Sequence, residues 1–268
     1  LEGTNMSIIV GDTPKRGQPV LFLDFDDVVN VAPSRCGDSS DNFCSSIDMS
    51  VDSYDFDIER RLDIDTNSGK VNIGIRVSSN MIGDIESLLD DGVALLWLTS
   101  WKSHTVLLND VLGINDDSNR TVGYVDWRYR GFSDSGEFGK VEYLRRLYRS
   151  DIYTNDDGDR VLDETNRFVS IDNVYLEPLI AGSFDAENAL QNVDNRLRTR
   201  FDSGIELDGF YGSIPGLSKV NDDIAVGYGF TGVCDTCKTF PFMTITPDYR
   251  IGATRKQLHI ARSFLLEK

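Results

Sequence analysis

Val20-Leu21-Phe22-Leu23-Asp24-Phe25-Asp26-Asp27 is the stretch that decides the fold. An apolar run from Val20 to Leu23, with no polar alternation, suits a strand buried on both faces of a sheet. It follows Pro19 and stops abruptly in acid at Asp24, Asp26 and Asp27. In open α/β sheets ligands gather at the C-terminal strand ends, so these acids stand where chemistry is expected. Two later runs repeat the pattern. Residues 93–98, Val-Ala-Leu-Leu-Trp-Leu, end in Thr99-Ser100, and residues 167–171, Arg-Phe-Val-Ser-Ile, end in Asp172-Asn173.

The segments between these runs supply the helices of an α/β protein. Residues 79–91 read as a helix with Ser79 as N-cap, an apolar stripe of Met81, Ile82, Ile85, Leu88 and Leu89, and Gly92 at its C-terminal end. Further helices are expected at 104–112, ending at Gly113, at 137–148 with Lys140 in the first turn, near 185–200, and at 255–266. A last strand is expected at 242–245. Residues 58–64 and 70–77 read as a β-hairpin around the Gly-containing turn 65–69.

Composition narrows the function. The chain has 268 residues, with 27 Lys and Arg against 44 Asp and Glu, giving a net charge of -17. That balance disfavours a nonspecific nucleic-acid coat, which neutralises many phosphates with cations. Hydrophobic residues make up 40%, enough to bury a core. Two histidines, His104 and His259, exclude a three-histidine metal site within one chain. Four cysteines do not make a disulfide scaffold. No apolar run reaches bilayer-spanning length, no signal peptide is visible, and Met6 reads as the native start. A cytoplasmic setting without membrane association is the expectation.

Parallel strands bring their C-terminal ends to one edge. Asp24, Asp26, Thr99, Ser100, Asp172 and Asn173 are therefore expected together, with Lys140 joining from its helix. Carboxylates so gathered repel unless a cation sits among them, and hard oxygen ligands suit Mg²⁺. A lysine and a hydroxyl facing the same point suit phosphate oxygens.

These segments resemble the haloacid dehalogenase (HAD) superfamily. Its first motif is an apolar strand ending in Asp-x-Asp, here Leu21-Phe22-Leu23-Asp24-Phe25-Asp26. Its second ends in Thr or Ser, here Leu95-Leu96-Trp97-Leu98-Thr99. Its third is an isolated lysine, here Lys140. Its fourth is an apolar strand ending in acid, here Val169-Ser170-Ile171-Asp172. Asp26-Asp27-Val28-Val29-Asn30, Trp97-Leu98-Thr99-Ser100-Trp101 and Ile251-Gly252-Ala253-Thr254-Arg255 are similar to a narrower group, the HAD-like domains of phages and RNA-repair proteins.

The resemblance implies a Rossmann-like three-layer sandwich with a mainly parallel central sheet. The core would comprise 1–30 and 79–268, with 174–240 as an additional insertion and 31–78 as a small cap carrying the hairpin. It implies a Mg²⁺-dependent phosphatase. Asp24 would be the nucleophile and Asp26 the general acid and base. Thr99, Ser100 and Lys140 would bind the phosphoryl group. Asp24, Asp26 through its carbonyl, Asp172 and Asn173 would surround the metal. The substrate class by family analogy is a nucleotide or a polynucleotide phosphate end. Two departures stand out: Asp27 replaces the usual glycine, and Asn173 replaces a common second acid. A HAD-like binding or inhibitory module without turnover is the competing reading, and a two-metal nuclease a third.

The remaining features have blander readings. Asp55/Asp57 and Asp63/Asp65 repeat Asp-x-Asp but read as solvated. Cys234-Asp235-Thr236-Cys237 is half of a zinc site and reads as a reduced pair. The basic clusters Arg145/Arg146/Arg149, Arg196/Arg198/Arg200 and Arg255/Lys256/Arg262 read as helix faces. Trp127 reads as core, and both histidines as packing or capping residues.

Overall fold

The run beginning at Val20 becomes the middle of a large sheet. The computed structural model of the protein describes residues 9–31, 52–66, 69–114, 119–126, 166–172, 218–220, 223–231, 238–248 and 251–267. Its strands are β1 (Ile9–Gly11), β2 (Val20–Leu23), β3 (Ile58–Thr66), β4 (Gly69–Val77), β5 (Ala94–Trp97), β6 (Val122–Val125), β7 (Phe168–Ile171), β8 (Ser218–Lys219), β9 (Ile224–Thr231) and β10 (Lys238–Ile245). Its helices are α1 (Ser79–Asp90), α2 (Thr105–Leu112), which follows a 3₁₀ turn at Lys102–His104, and α3 (Arg255–Leu266).

Among the described residues the main sheet has eight strands in the order β1-β6-β5-β2-β7-β10-β9-β8. Its centre, β6-β5-β2-β7-β10, is parallel throughout, and β1, β9 and β8 add antiparallel edges. The sheet is therefore mixed and mainly parallel, an α/β arrangement. β3 and β4 form a separate antiparallel hairpin.

Burial explains the unbroken apolar runs. Every residue of β2, β5 and β7 is buried, as expected of strands covered on both faces. Leu21, Leu23, Leu95, Trp97, Val169, Ile171 and Ile245 form one continuous core with Met81, Ile85 and Leu89 of α1 and Leu258, Ala261 and Leu265 of α3. Ile64, Ile75 and Val77 of the hairpin belong to that same core. On the opposite face Phe22 stacks on Phe168 with ring centroids 6.1 Å apart. Burying each such side chain contributes about 1.5–3 kcal/mol.

Local details sharpen several boundaries. Ser78, not Ser79, caps α1: it keeps an extended backbone and its hydroxyl accepts the Met81 N–H. Ser79 is the first helical residue, and its N–H and hydroxyl both donate to the Asp57 carboxylate. The hairpin register pairs Thr66 with Gly69, leaving a tighter turn than 65–69. β10 starts at Lys238, earlier than Pro241 suggests. Pro241 pairs only with β9, because β7 joins β10 from Phe242 onward, so its missing N–H costs no ladder bond on that side. α3 opens with a reciprocal capping box between Thr254 and Gln257. The expected helices at 137–148 and 185–200, with Lys140, lie outside the described residues. So do Asn173, Trp127 and the cysteine pair.

Candidate active site at the strand ends

Register places the site. Leu23 of β2 aligns with Ile171 of β7 on one side and Trp97 of β5 on the other. The next residues, Asp24, Asp172 and Leu98, are therefore level at the C-terminal edge. Backbone bonds continue past the strands: Asp24 N–H donates to Ile171 (3.0 Å), Asp172 N–H to Ile245 (3.1 Å) and Leu98 N–H to Leu23 (2.9 Å). The acids thus sit on backbone held by a continuation of the sheet's own hydrogen-bond ladder.

Asp24 and Asp172 are buried, at 4% and 2% exposure. Adjacent strands are about 4.8 Å apart, so two ionised carboxylates at level positions on β2 and β7 would repel one another. Asp24 Oδ1 accepts the N–H of Phe25 at 2.8 Å, which offsets part of that charge. Thr99 is also buried, whereas Ser100 is exposed. Thr99 Oγ1 accepts the Trp101 N–H at 3.4 Å. Of the two hydroxyls, Thr99 is the one the strand end holds.

Asp26 lies one turn further out and is half-buried. Both its carboxylate oxygens are held. Asn30 Nδ2 donates to Oδ1 at 2.9 Å, and Trp101 Nε1 donates to Oδ2 at 2.7 Å. The turn between Asp26 and Asn30 is tight: Val29 and Asn30 N–H both donate to the Phe25 carbonyl, and Asp27 N–H donates to Asn30. Asp27 adopts φ 63°, the left-handed region where glycine costs least. Asp is among the side chains that tolerate it best, so Asp27 can hold this turn without a glycine.

A distant segment braces this turn. Ala253 N–H donates to the Val28 carbonyl at 2.9 Å. Gly252 has φ 70°, and a Cβ there would lie 2.7 Å from the Val28 oxygen. Glycine is required both by conformation and by this approach. The hairpin braces the other side: Asn30 Oδ1 accepts the Arg76 N–H at 2.7 Å, and Val31 N–H donates to the Arg76 carbonyl.

A cation at this edge fits the donor chemistry, since Asp24, Asp172 and the Asp26 carbonyl are hard oxygen donors. Among the described residues no three His, Cys, Asp or Glu side chains cluster as a metal site on their own. A cation would therefore draw on backbone carbonyl and water besides the two strand-end acids.

Two members of the basic cluster on α3 are committed elsewhere. The Arg255 guanidinium lies 5.3 Å from the centroid of the Tyr54 ring, and Arg262 pairs with Asp91 and donates to Ser87. Burial first, and the Asp84 carboxylate accepting its O–H at 2.5 Å second, push the Tyr54 phenol well above its ordinary range, so it stays neutral. His104 is the N-cap residue of α2 without a side-chain capping bond, and His259 is exposed on α3.

Sequence reasoning missed the roles of Trp101 and Asn30. Both stood in segments singled out for resemblance, but nothing in their spacing showed that they meet at Asp26. Compared with protein-family models, with curated proteins and with solved structures, the chain matches none.

Proposed function

We propose that the protein is a Mg²⁺-dependent phosphomonoesterase working through an aspartyl-phosphate. In this reading its fold is a Rossmann-like three-layer sandwich whose hairpin belongs to a small inserted cap. One observation carries the reading: Asp24 and Asp172 are buried side by side at the ends of adjacent parallel strands, with Thr99 beyond the strand on the other side of Asp24. Carboxylates at the C-terminal ends of adjacent parallel strands occupy the usual ligand position of an open α/β sheet.

Asp24 Oδ forms the new bond to phosphorus as the bond from phosphorus to the ester oxygen breaks. The leaving oxygen takes its electron pair and a proton from Asp26. Asp26 then accepts a proton from water, whose oxygen attacks phosphorus and frees phosphate and Asp24. Thr99 and Lys140 hold phosphoryl oxygens, and such placement and electrostatics supply most of phosphoryl-transfer catalysis. Asp24, the Asp26 carbonyl, Asp172 and Asn173 would hold Mg²⁺, which supplies charge neutralisation for the incoming phosphate. A nucleotide or a polynucleotide phosphate end is the proposed substrate class, by family resemblance.

The test is a phosphate-release screen of the full chain with Mg²⁺ over aryl phosphates, nucleotides and RNA ends. Phosphate release that chelation abolishes is the expected result. No turnover on any member of the panel would refute the enzyme. Phosphodiester cleavage without phosphate release would transfer the site to a nuclease.

A further inference from the structure

Asp26 is tethered from two directions by residues that come from different parts of the chain. Trp101 belongs to the loop after β5, and its indole nitrogen is 2.7 Å from Asp26 Oδ2. Its ring is fixed in turn, edge-on to Phe25 with centroids 5.3 Å apart, and only 9% exposed. Asn30 follows the turn, and its Nδ2 is 2.9 Å from Asp26 Oδ1. The Asn30 amide has one orientation available: its oxygen meets the Arg76 N–H at 2.7 Å, so its nitrogen faces Asp26. Asn30 is itself buried, at 6% exposure.

We infer that Trp101 and Asn30 are positioning residues that fix the Asp26 carboxyl group for proton transfer. The inference rests on the proposed phosphatase reading. An indole N–H donates but cannot accept or titrate, so Trp101 can orient the carboxyl without competing for its proton. Each tether occupies one lone pair on its oxygen and leaves the other for the transferred proton. The position of a proton donor matters as much as its identity, since a displacement of about 1 Å can cost on the order of 10²-fold in rate. Asn30 also links the acid to the hairpin, because the Arg76 backbone on β4 sets the amide that holds Asp26.

The test uses leaving groups that differ in their need for a proton. A dinitrophenolate leaves unassisted, whereas phenolate and alkoxide require protonation. In the full chain with Mg²⁺, Trp101→Phe keeps an aromatic ring against Phe25 but removes the donor. It is expected to lower kcat/KM on phenyl and alkyl phosphates by about 10- to 100-fold, within the range of general acid catalysis. Its kcat/KM on dinitrophenyl phosphate should stay within about threefold, because kcat/KM reads only the steps through transfer to Asp24, and with this leaving group none of them needs the Asp26 proton; hydrolysis of the aspartyl-phosphate, which also uses Asp26, lies outside that ratio. Asn30→Asp keeps the oxygen for Arg76 and turns the donor into a second acceptor facing Asp26. The same selective loss is expected, which keeps the test decisive if Trp101→Phe does not fold.

Equal losses of kcat/KM on both leaving groups would overturn the positioning role and leave ordinary packing. A wild-type chain inactive on every ester would overturn the phosphatase reading instead. In that event the Trp101 indole N–H resonance still tests the tether: it should move upfield in Asp26→Ala, and an unchanged resonance would show that the contact is absent.

Discussion

Two regions of this molecule carry the same short pattern in opposite surroundings. At the sheet edge Asp24-Phe25-Asp26 follows a strand buried on both faces, and Asp24 is 4% exposed. On the hairpin Asp63-Ile64-Asp65 lies within β3, with both carboxylates in solvent and Ile64 buried between them. The alternation there is that of a one-sided strand: apolar in, acid out. Asp63 merely accepts from Asn72 across the hairpin at 2.7 Å. A third copy, Asp55-Phe56-Asp57, anchors the start of α1 through Ser79. The difference teaches that the same Asp-x-Asp is desolvated only where a strand buried on both faces precedes it, and the proposed chemistry is placed there.

The largest expected contrast is in activity. Asp172→Asn removes a buried carboxylate next to Asp24 and should raise the Mg²⁺ concentration needed for half-maximal phosphate release and cut the rate by about 10²-fold or more. Asp63→Asn, in the same assay, should stay within about twofold, as distant exposed substitutions do. Comparable losses from both would erase the distinction between the two regions.

Stability gives the second contrast. Gly252→Ala places a Cβ against the Val28 carbonyl at a left-handed φ, and urea unfolding should show a loss of about 2–4 kcal/mol. Gly74→Ala on β4 meets nothing within 4 Å and should be neutral to slightly stabilising, within about 1 kcal/mol. Equal effects would mean that the segment at 251–254 does not brace the Asp26 turn.

The smallest effect concerns Asp57. Donation from the Ser79 hydroxyl, and then from its N–H, holds this carboxyl below its ordinary range. A depressed folded-state value contributes stability that is complete above the ordinary aspartate range and is lost as pH falls through the lowered value. Asp57→Asn keeps an acceptor for the Ser79 N–H but cannot titrate. Its melting temperature should fall less steeply with acid than that of the wild type, and identical slopes would remove Asp57 from the linkage.

The parts of the fold that were legible are those in which one physical signal dominated. Residues 20–24, 93–98 and 167–171 announced β2, β5 and β7 because two-sided burial leaves continuous apolar runs. α1 and α3 announced themselves through their stripes and caps. β9 was not seen, because Gly227 and Gly229 interrupt Ile224–Thr231 and weaken its strand propensity. β1 and β6 were missed because neither is an unbroken buried apolar run: β1 buries one residue of three, and Gly123 interrupts β6. At the site, Asp24, Thr99 and Asp172 were legible from strand ends alone, and register brings those ends level. The tethers on Asp26 were not, since the hairpin, α1 and β5 all lie between it and Trp101, and no local spacing encodes that meeting.

The most direct measurement is Mg²⁺-dependent phosphate release by the full chain beside Asp24→Asn. An aspartyl-phosphate route predicts turnover by the wild type and a loss on the order of 10⁴-fold or more in the variant, since the amide is no longer the nucleophile. Turnover by Asp24→Asn equal to that of the wild type would contradict it.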